Sequence, residues 1–174
     1  FMKHVEPAIN KIKSTFFEVT TAMAFHHFNN NDVDIAIIET GLGGRLDSTN
    51  VVNPSLTVMT PISLDHRDIL GDTIEKIATE KAGIVKKGVP LITANQVDNV
   101  SKILEKRVKK KESVMHICPN PESVKLSSDG TSFEVYGNNF NTSLIGKHQA
   151  QNAALAIATI NLFHSDIPYE IIDK

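Results

Sequence analysis

Apolar residues follow two kinds of spacing along the chain. Helical spacing covers residues 1–13 and 15–28 and predicts two helices near the start. Four residues share one face of the second helix: Phe16, Val19, Met23 and His27. Short, continuous, β-branched runs predict strands buried on both faces, over residues 33–40, 55–62, 89–94 and 114–117.

Two further helices are predicted between these strands. The first covers residues 73–82 and is closed by Gly83, and the second covers residues 99–110. Residues 63–72 (SLDHRDILGD) are expected to form a loop. Strands that alternate with helices predict an α/β fold, mainly a parallel sheet flanked by helices on both faces.

The pattern changes in the last third of the chain. Residues 123–144 form short alternating runs broken by Asp129-Gly130 and Gly137-Asn138, which is typical of an antiparallel meander with two tight turns. We therefore expect a small antiparallel β subregion over 123–146. A helix is predicted over 148–163, and Ile167-Pro168 begins another segment.

Composition narrows the class of protein. The chain has 174 residues, 41% hydrophobic and 22% charged, which is typical of a globular domain. A formal net charge of −2 gives no basic surface for nucleic acid, and no apolar run reaches the length of a membrane span. Cys118 is the only cysteine, so an intrachain disulfide is excluded. Since the chain begins with Phe1, we expect a piece of a longer protein.

Polar side chains follow the predicted strands at the edge where ligands bind in open parallel sheets. Glu39 ends the first strand, Asp65-His66 follow the second, and Glu80-Lys81 end the next helix. Mg²⁺ takes one or two protein ligands together with waters and phosphates, so these groups are candidates for a metal site. The alternative is that Glu39 pairs with Arg45 and that His66 only caps a loop.

The segment ETGLGGRLDSTN, residues 39–50, carries three glycines directly after a predicted strand. Glycines at such a point indicate tight turns and close approach of a ligand. The spacing is neither G-x-G-x-x-G nor G-x-x-x-x-G-K-[ST], and no Walker A motif occurs in the 174 residues. The missing dinucleotide motif disfavours a Rossmann oxidoreductase.

Five stretches taken together resemble the central domain of folylpolyglutamate synthases and dihydrofolate synthases, which belong to the Mur ligase superfamily of ATP-dependent amide ligases. They occur in the family's order: FFEVTTAMAF, IIETGLGGRLDSTNVV, ISLDH, LGDTIEKIATEKAGIVKKGVP and GKHQAQNAALAIA. The resemblance covers nearly the whole chain and implies a P-loop-type central domain. It also implies that the phosphate loop and the C-terminal domain of the ligase lie outside residues 1–174.

The resemblance implies roles for particular residues. Glu39 and His66 match Mg²⁺ ligands of the family, and Lys81 matches a lysine that is carried as a carbamate; these three are the candidate catalytic residues. The candidate substrate-binding residues match two walls of a pteroate pocket: Thr15, Phe16, Phe17, Glu18, Leu46, Asp47 and Ser48. Asn152 matches an asparagine that contacts ATP.

Each of these roles has a simpler structural alternative. Phe16 and Phe17 serve equally well as helix core. Asn152 is also an ordinary polar residue of an amphipathic helix, and Lys81 is also a partner for an ion pair with Glu39 or Glu80.

The reaction implied by the resemblance joins L-glutamate to folate or dihydropteroate through an acyl phosphate, with ATP as substrate and Mg²⁺ as cofactor. It also implies a cytoplasmic monomer, with no nucleic-acid or membrane partner. We expect residues 1–174 alone to be inactive. The competing interpretation is a nucleotide-binding module that is not an enzyme.

Overall fold

The computed structural model describes residues 1–164 and 167–172. The chain divides into two units, Phe1–Asn53 and Pro54–Lys174. The first unit contains helices α1 (Met2–Ile12) and α2 (Phe16–Asn30) and a 3-10 turn over Ser48–Val51. Both predicted helices are confirmed.

The prediction of a strand over residues 33–40 is wrong. These residues form neither helix nor strand, and the side chains of Val33, Ile35 and Ile37 are 42%, 61% and 93% exposed. A strand needs the backbone of a neighbour to pair its N–H and C=O groups. No described residue pairs with this run in a sheet, so its β-branched composition alone does not make it a strand.

The second unit contains the predicted parallel sheet, in the order β1 (Thr57–Met59), β2 (Leu91–Thr93) and β3 (Met115–Ile117). Met59 is in register with Thr93, and Thr93 with Ile117. The strands are shorter than the apolar runs that predicted them. For β1 the reason is Pro61, which has no N–H to continue the ladder.

The middle strand of this sheet is covered on both faces. Ile92 belongs to a buried cluster that includes Ala154 and Leu155 of helix α6 (Lys147–Phe163). Leu91 and Thr93 point to the opposite face because strand side chains alternate, and both are buried. This confirms the parallel α/β architecture.

The helices between the strands fall close to their predicted positions. Helix α4 (Ile74–Lys81) begins after Thr73, whose hydroxyl accepts a hydrogen bond from the Lys76 N–H at 3.3 Å. A 3-10 turn over Ala82–Ile84 continues it, so Gly83 does not close the helix as predicted. Helix α5 covers Asp98–Lys110. Its buried side chains recur every four residues: Val100, Leu104 and Val108.

The segment predicted as a loop between β1 and α4 contains a short helix, α3 (Arg67–Leu70). Its last residue, Leu70, is buried. This apolar contact was not predicted because most residues of the segment are polar.

The predicted meander is also confirmed. Strands β4 (Glu122–Ser127), β5 (Gly130–Val135) and β6 (Asn138–Thr142) form a second, antiparallel sheet. Phe133 and Phe140 of this sheet stack with ring centroids 5.9 Å apart and share the buried cluster with α6.

The last element of the described residues is a short helix, α7 (Tyr169–Ile172), in the segment begun by Ile167-Pro168. Among the helices of the described residues, none is long and apolar enough to cross a membrane.

Candidate active site

The glycine loop in the first unit is organised by the side chain of Asp47. One carboxylate oxygen accepts a hydrogen bond from the Leu42 N–H at 2.8 Å. The other accepts from the Thr49 N–H at 2.9 Å and from the Thr49 hydroxyl at 2.5 Å. Asp47 also caps the 3-10 turn over Ser48–Val51. Both ends of the loop are therefore tied to one carboxylate.

Asp47 remains an ionised acid although it is buried. Burial by itself would raise the pKa of the carboxyl group, but hydrogen bonds from the Thr49 side chain and from the backbone N–H groups of Leu42, Thr49 and Gly41 lower it by more. The net result is a pKa below the ordinary value. A negative charge inside the loop is thus stabilised by the loop's own donors.

The phenyl ring of Phe17 covers Gly41 of the same loop. A Cβ atom placed on Gly41 would lie 2.5 Å from Cζ of Phe17, which is closer than a side-chain carbon can approach. A larger residue at this position would require the ring to shift. Of the two predicted pocket walls, residues 15–18 and 46–48, the structure brings the first against the glycine loop through this contact.

Thr15 and Glu18 form the start of α2 as a capping box. The Glu18 N–H donates to the Thr15 hydroxyl at 3.3 Å, and the Thr15 N–H donates to Oε2 of Glu18 at 2.7 Å. The backbone hydrogen bond from Thr15, followed by the one from its hydroxyl, lowers the pKa of Glu18. These two predicted substrate-binding residues therefore have a structural function in the first turn.

The neighbouring side chains are accessible. Phe16 and Leu46 are 84% and 79% exposed, so Phe16 is not the core residue that the simpler interpretation of the sequence expects. Ser48 opens the 3-10 turn.

Glu39 lies at the start of the glycine loop with an exposed side chain.

His66, in the second unit, has an unusual backbone. Its φ of 49° and ψ of 40° lie in the left-handed region, which glycine and asparagine adopt more readily. The His66 N–H donates to Oδ1 of Asp65 at 2.8 Å, and Nε2 lies 3.5 Å from Oδ2 of the same carboxylate. The imidazole is 54% exposed. Asp65 therefore orients the residue that the sequence singled out.

Lys81 is the last residue of α4 and is half-buried. Glu80 is its neighbour in the sequence, and the side chains of adjacent helical residues point in different directions. Asn152 lies on the exposed side of α6, where its amide donates to Oε1 of Gln149 at 3.3 Å.

The described residues contain no group of three or more His, Cys, Asp or Glu side chains arranged to hold a metal ion. Glu39 belongs to the first unit and His66 to the second. A carboxylate and an imidazole suit Mg²⁺ as a donor set only where water and phosphate oxygens complete the octahedron.

Two residues at the carboxyl edge of the parallel sheet were missed by the sequence analysis. Asn95 and Gln96 lie two and three residues after the end of β2, and their side-chain amides bond to different segments. Gln96 bonds to the segment after β1, and Asn95 to the segment after β3. Two sequence features could have indicated this role. Two amide residues follow the third predicted strand, and Pro61 ends the strand that pairs with it.

Comparison with known proteins agrees with this architecture. The Mur ligase middle domain model matches residues 2–160. A dihydrofolate synthase/folylpolyglutamate synthase of Bacillus subtilis is 44% identical over 173 residues, which cover 92% of this chain and 39% of that protein.

Solved structures give the same result. The apo form of the Lacticaseibacillus casei folylpolyglutamate synthase superposes with a TM-score of 0.88 at 31% identity, covering 97% of this chain and 45% of that one. A solved FPGS–AMPPCP–folate complex superposes with a TM-score of 0.84 at 33% identity, covering 92% and 42%.

The parallel sheet flanked by helices and the family match define an α/β domain of the Mur ligase middle-domain type. The chain belongs to the Mur ligase family and corresponds to its middle domain. The relatives that it resembles are folylpolyglutamate and dihydrofolate synthases, and the chain spans 39% to 45% of the length of those compared above.

Proposed function

We propose that the full-length protein is an ATP-dependent ligase that joins L-glutamate to the carboxylate of folate or dihydropteroate. The observation that carries this proposal is the 44% identity with the Bacillus subtilis enzyme over 92% of the chain. A carboxylate does not react with an amine directly, so ATP first converts it to an acyl phosphate. The glutamate amine then displaces phosphate through a tetrahedral intermediate.

The proposed pteroate pocket lies at the glycine loop. Exposed Phe16 and Leu46 offer apolar surface to a flat aromatic ring, and Ser48 offers a hydroxyl. Asp47 contributes differently from a direct ligand, because both of its oxygens already accept hydrogen bonds from the loop. Its proposed part is to hold the loop in shape around the substrate, and Thr15 and Glu18 similarly hold the first turn of α2.

Glu39 and His66 are proposed as Mg²⁺ ligands. Glu39 offers an exposed carboxylate, the oxygen donor that Mg²⁺ prefers, and His66 offers an accessible imidazole whose Nε2 lies 3.5 Å from Oδ2 of Asp65. Bound Mg²⁺ would neutralise charge on the phosphate oxygens during transfer. No residue of the chain need act as a covalent nucleophile, since positioning and charge neutralisation supply most of the catalysis.

Lys81 is proposed to carry a carbamate in the active enzyme. The support is its place at the end of α4, where the half-buried side chain stays accessible to CO₂. The uncharged amine attacks the carbon of CO₂, forms an N–C bond and loses one proton to water. The product is an anion whose oxygens suit a hard cation.

Asn152 is proposed to contact ATP. Its amide lies on the solvent side of α6 and is bonded only to Gln149 among the described residues, through a long hydrogen bond that a nucleotide can replace.

The test is an ADP-release assay on the full-length protein with glutamate, in which dihydropteroate and tetrahydrofolate are compared side by side. Glutamate-dependent ADP release with either acceptor supports the ligase. Nucleotide binding without turnover on either acceptor would overturn it in favour of a binding module. We also propose that residues 1–174 alone are inactive, since they contain no Walker A motif, and the same assay on this segment checks it.

A further inference from the structure

The parallel sheet has an unusual ending on the side of β1. The Thr57 N–H donates to the Pro90 carbonyl at 3.0 Å, and the Ala94 N–H donates to the Met59 carbonyl at 3.0 Å. In a parallel ladder every second residue of a strand donates in this way, so the next donor would be residue 61. That residue is Pro61, which has no N–H. The backbone ladder between β1 and β2 therefore stops at Met59.

Beyond the end of the ladder, side chains of β2 and of the residues after it make hydrogen bonds to the backbone. The Thr93 hydroxyl donates to the Ala94 carbonyl at 2.9 Å, the group that Pro61 leaves without its ladder donor. Gln96 Nε2 donates to the Thr60 carbonyl at 2.9 Å and to the Thr93 hydroxyl at 3.0 Å. Gln96 Oε1 accepts from the Ile62 N–H at 2.9 Å.

The Gln96 amide thus binds the backbone on both sides of Pro61. Both of its N–H groups and its oxygen are engaged, so the amide has one orientation only. Ile62 is also buried, with 7% of its surface exposed. Between them, the amide and the buried side chain fix the chain four residues before His66.

His66 is held by neighbouring residues of the chain: its carbonyl accepts hydrogen bonds from the Ile69 and Leu70 N–H groups at 3.0 and 2.9 Å in the first turn of α3. Its side chain is 54% exposed, its backbone is left-handed, and its hydrogen bond to Asp65 is local to the loop. The start of this loop is fixed at Ile62, and its far end at the buried Leu70.

We propose that Gln96 is a positioning residue for the loop that carries His66, and hence for the metal ligand of the proposed ligase. This inference rests on the proposed function, in which His66 binds Mg²⁺. Gln96 acts on the metal only through the backbone of residues 60–66, and it touches neither substrate nor metal. Groups that hydrogen-bond a metal ligand directly change metal affinity by ten- to a hundredfold when they are removed, and we expect Gln96, which acts one step further away, at the lower end of this range.

Asn95 supplies a matched control. Its Nδ2 donates to the Cys118 carbonyl at 3.3 Å and to Oδ1 of Asn120 at 2.9 Å, so it fastens the segment after β3 in the way that Gln96 fastens the segment after β1. No proposed ligand lies on that segment. Gln96→Met and Asn95→Leu each remove an amide while keeping side-chain size.

The experiment measures Mn²⁺ binding to the full-length protein in the presence of AMPPCP by electron paramagnetic resonance, for the wild type, Gln96→Met, Asn95→Leu and His66→Ala. We expect Gln96→Met to raise the Mn²⁺ Kd about tenfold and Asn95→Leu to leave it within about twofold. Hydrogen exchange followed by mass spectrometry should quicken over residues 60–68 in Gln96→Met, and over 118–121 in Asn95→Leu.

The four proteins distinguish the positioning role of Gln96 from the metal-binding role of His66. If His66→Ala weakens Mn²⁺ binding while Gln96→Met binds like the wild type, the positioning role is wrong and the metal assignment stands. Equal weakening in Gln96→Met and Asn95→Leu would reduce Gln96 to a general contribution to stability and overturn the inference. If His66→Ala binds Mn²⁺ normally, the metal assignment fails, and the inference fails with it.

Discussion

Phe17 and Gly41 lie in such close contact that the ring occupies the space of any side chain at residue 41. This contact joins the first turn of α2 to the glycine loop within the first unit. It also explains one of the three glycines by close approach of protein rather than of a ligand.

Gly41→Ala should therefore force the Phe17 ring to move. Overpacking of this kind costs about 1–3 kcal/mol, and we expect weaker pteroate binding together with a lower melting temperature in the full-length protein. A double-mutant cycle with Phe17→Ala checks the cause, because the alanine at residue 41 has room once the ring is gone. If Gly41→Ala costs the same in both backgrounds, the ring is not responsible.

Asp47→Asn should lower stability at neutral pH and flatten its dependence on acid. The folded-state pKa of Asp47 lies below the unfolded value of about 3.9, so its charge stabilises the fold above that value. This contribution is lost as the pH falls through the lower folded-state pKa. Unfolding by urea between pH 5 and 3, in the wild type and in Asp47→Asn, measures the difference.

Other carboxyl groups with lowered pKa, such as Glu18 and Asp72, titrate in both proteins and cancel in that comparison. A wild type and a variant that lose stability in parallel would show that the Asp47 charge contributes nothing. For function, we expect Asp47→Asn to raise the KM for the pteroate substrate while the KM for ATP stays near the wild-type value.

Thr57→Val should stabilise the protein. The Thr57 hydroxyl is buried and has no hydrogen-bond partner among the described residues, which costs about 1–3 kcal/mol relative to an apolar group of the same shape. Thr93→Val is the control, since that hydroxyl both donates and accepts and its removal should destabilise. Thermal unfolding of the two variants should shift in opposite directions; a lower melting temperature for Thr57→Val contradicts the assignment.

Lys81→Ala should abolish most activity of the full-length enzyme, and short carboxylic acids added to the buffer should partly restore it. The acid replaces the carbamate as an anionic oxygen donor. Lys81→Arg cannot form a carbamate and should stay inactive although it keeps the positive charge. Full activity in Lys81→Arg would make Lys81 an ordinary charged residue, and a mass increase corresponding to CO₂ on the wild type would support the modification.

The periodic elements of the fold could be predicted from the sequence because apolar spacing encodes them directly. The strands around Val58 and Ile92 and the helix start at Thr73 follow from local chemistry, and the first turn of the meander lies at Ser128-Asp129, one residue before the predicted Asp129-Gly130. The run from Val33 failed because a strand depends on a neighbour that its own sequence does not specify. Composition can show that a segment suits a sheet, but pairing is a property of two segments.

The candidate site was less accessible to such reasoning. The sequence identified Asp47 by resemblance but gave no hint that both oxygens are occupied by Leu42 and Thr49. The role of Gln96 was not predicted, because a hydrogen bond from a side-chain amide to a distant backbone group leaves no periodic pattern in the sequence. Such contacts depend on which strands are neighbours, and they become visible only when the topology is known.

The left-handed backbone at His66 sets stability against function at a single position. A residue with a Cβ in this conformation costs about 1–2 kcal/mol, which glycine avoids. Directed evolution for heat resistance without an activity screen would therefore favour His66→Gly. The free energy of unfolding would rise, and the loss of the imidazole would not be selected against. If His66 binds the metal as proposed, libraries built on this scaffold should keep histidine at this position.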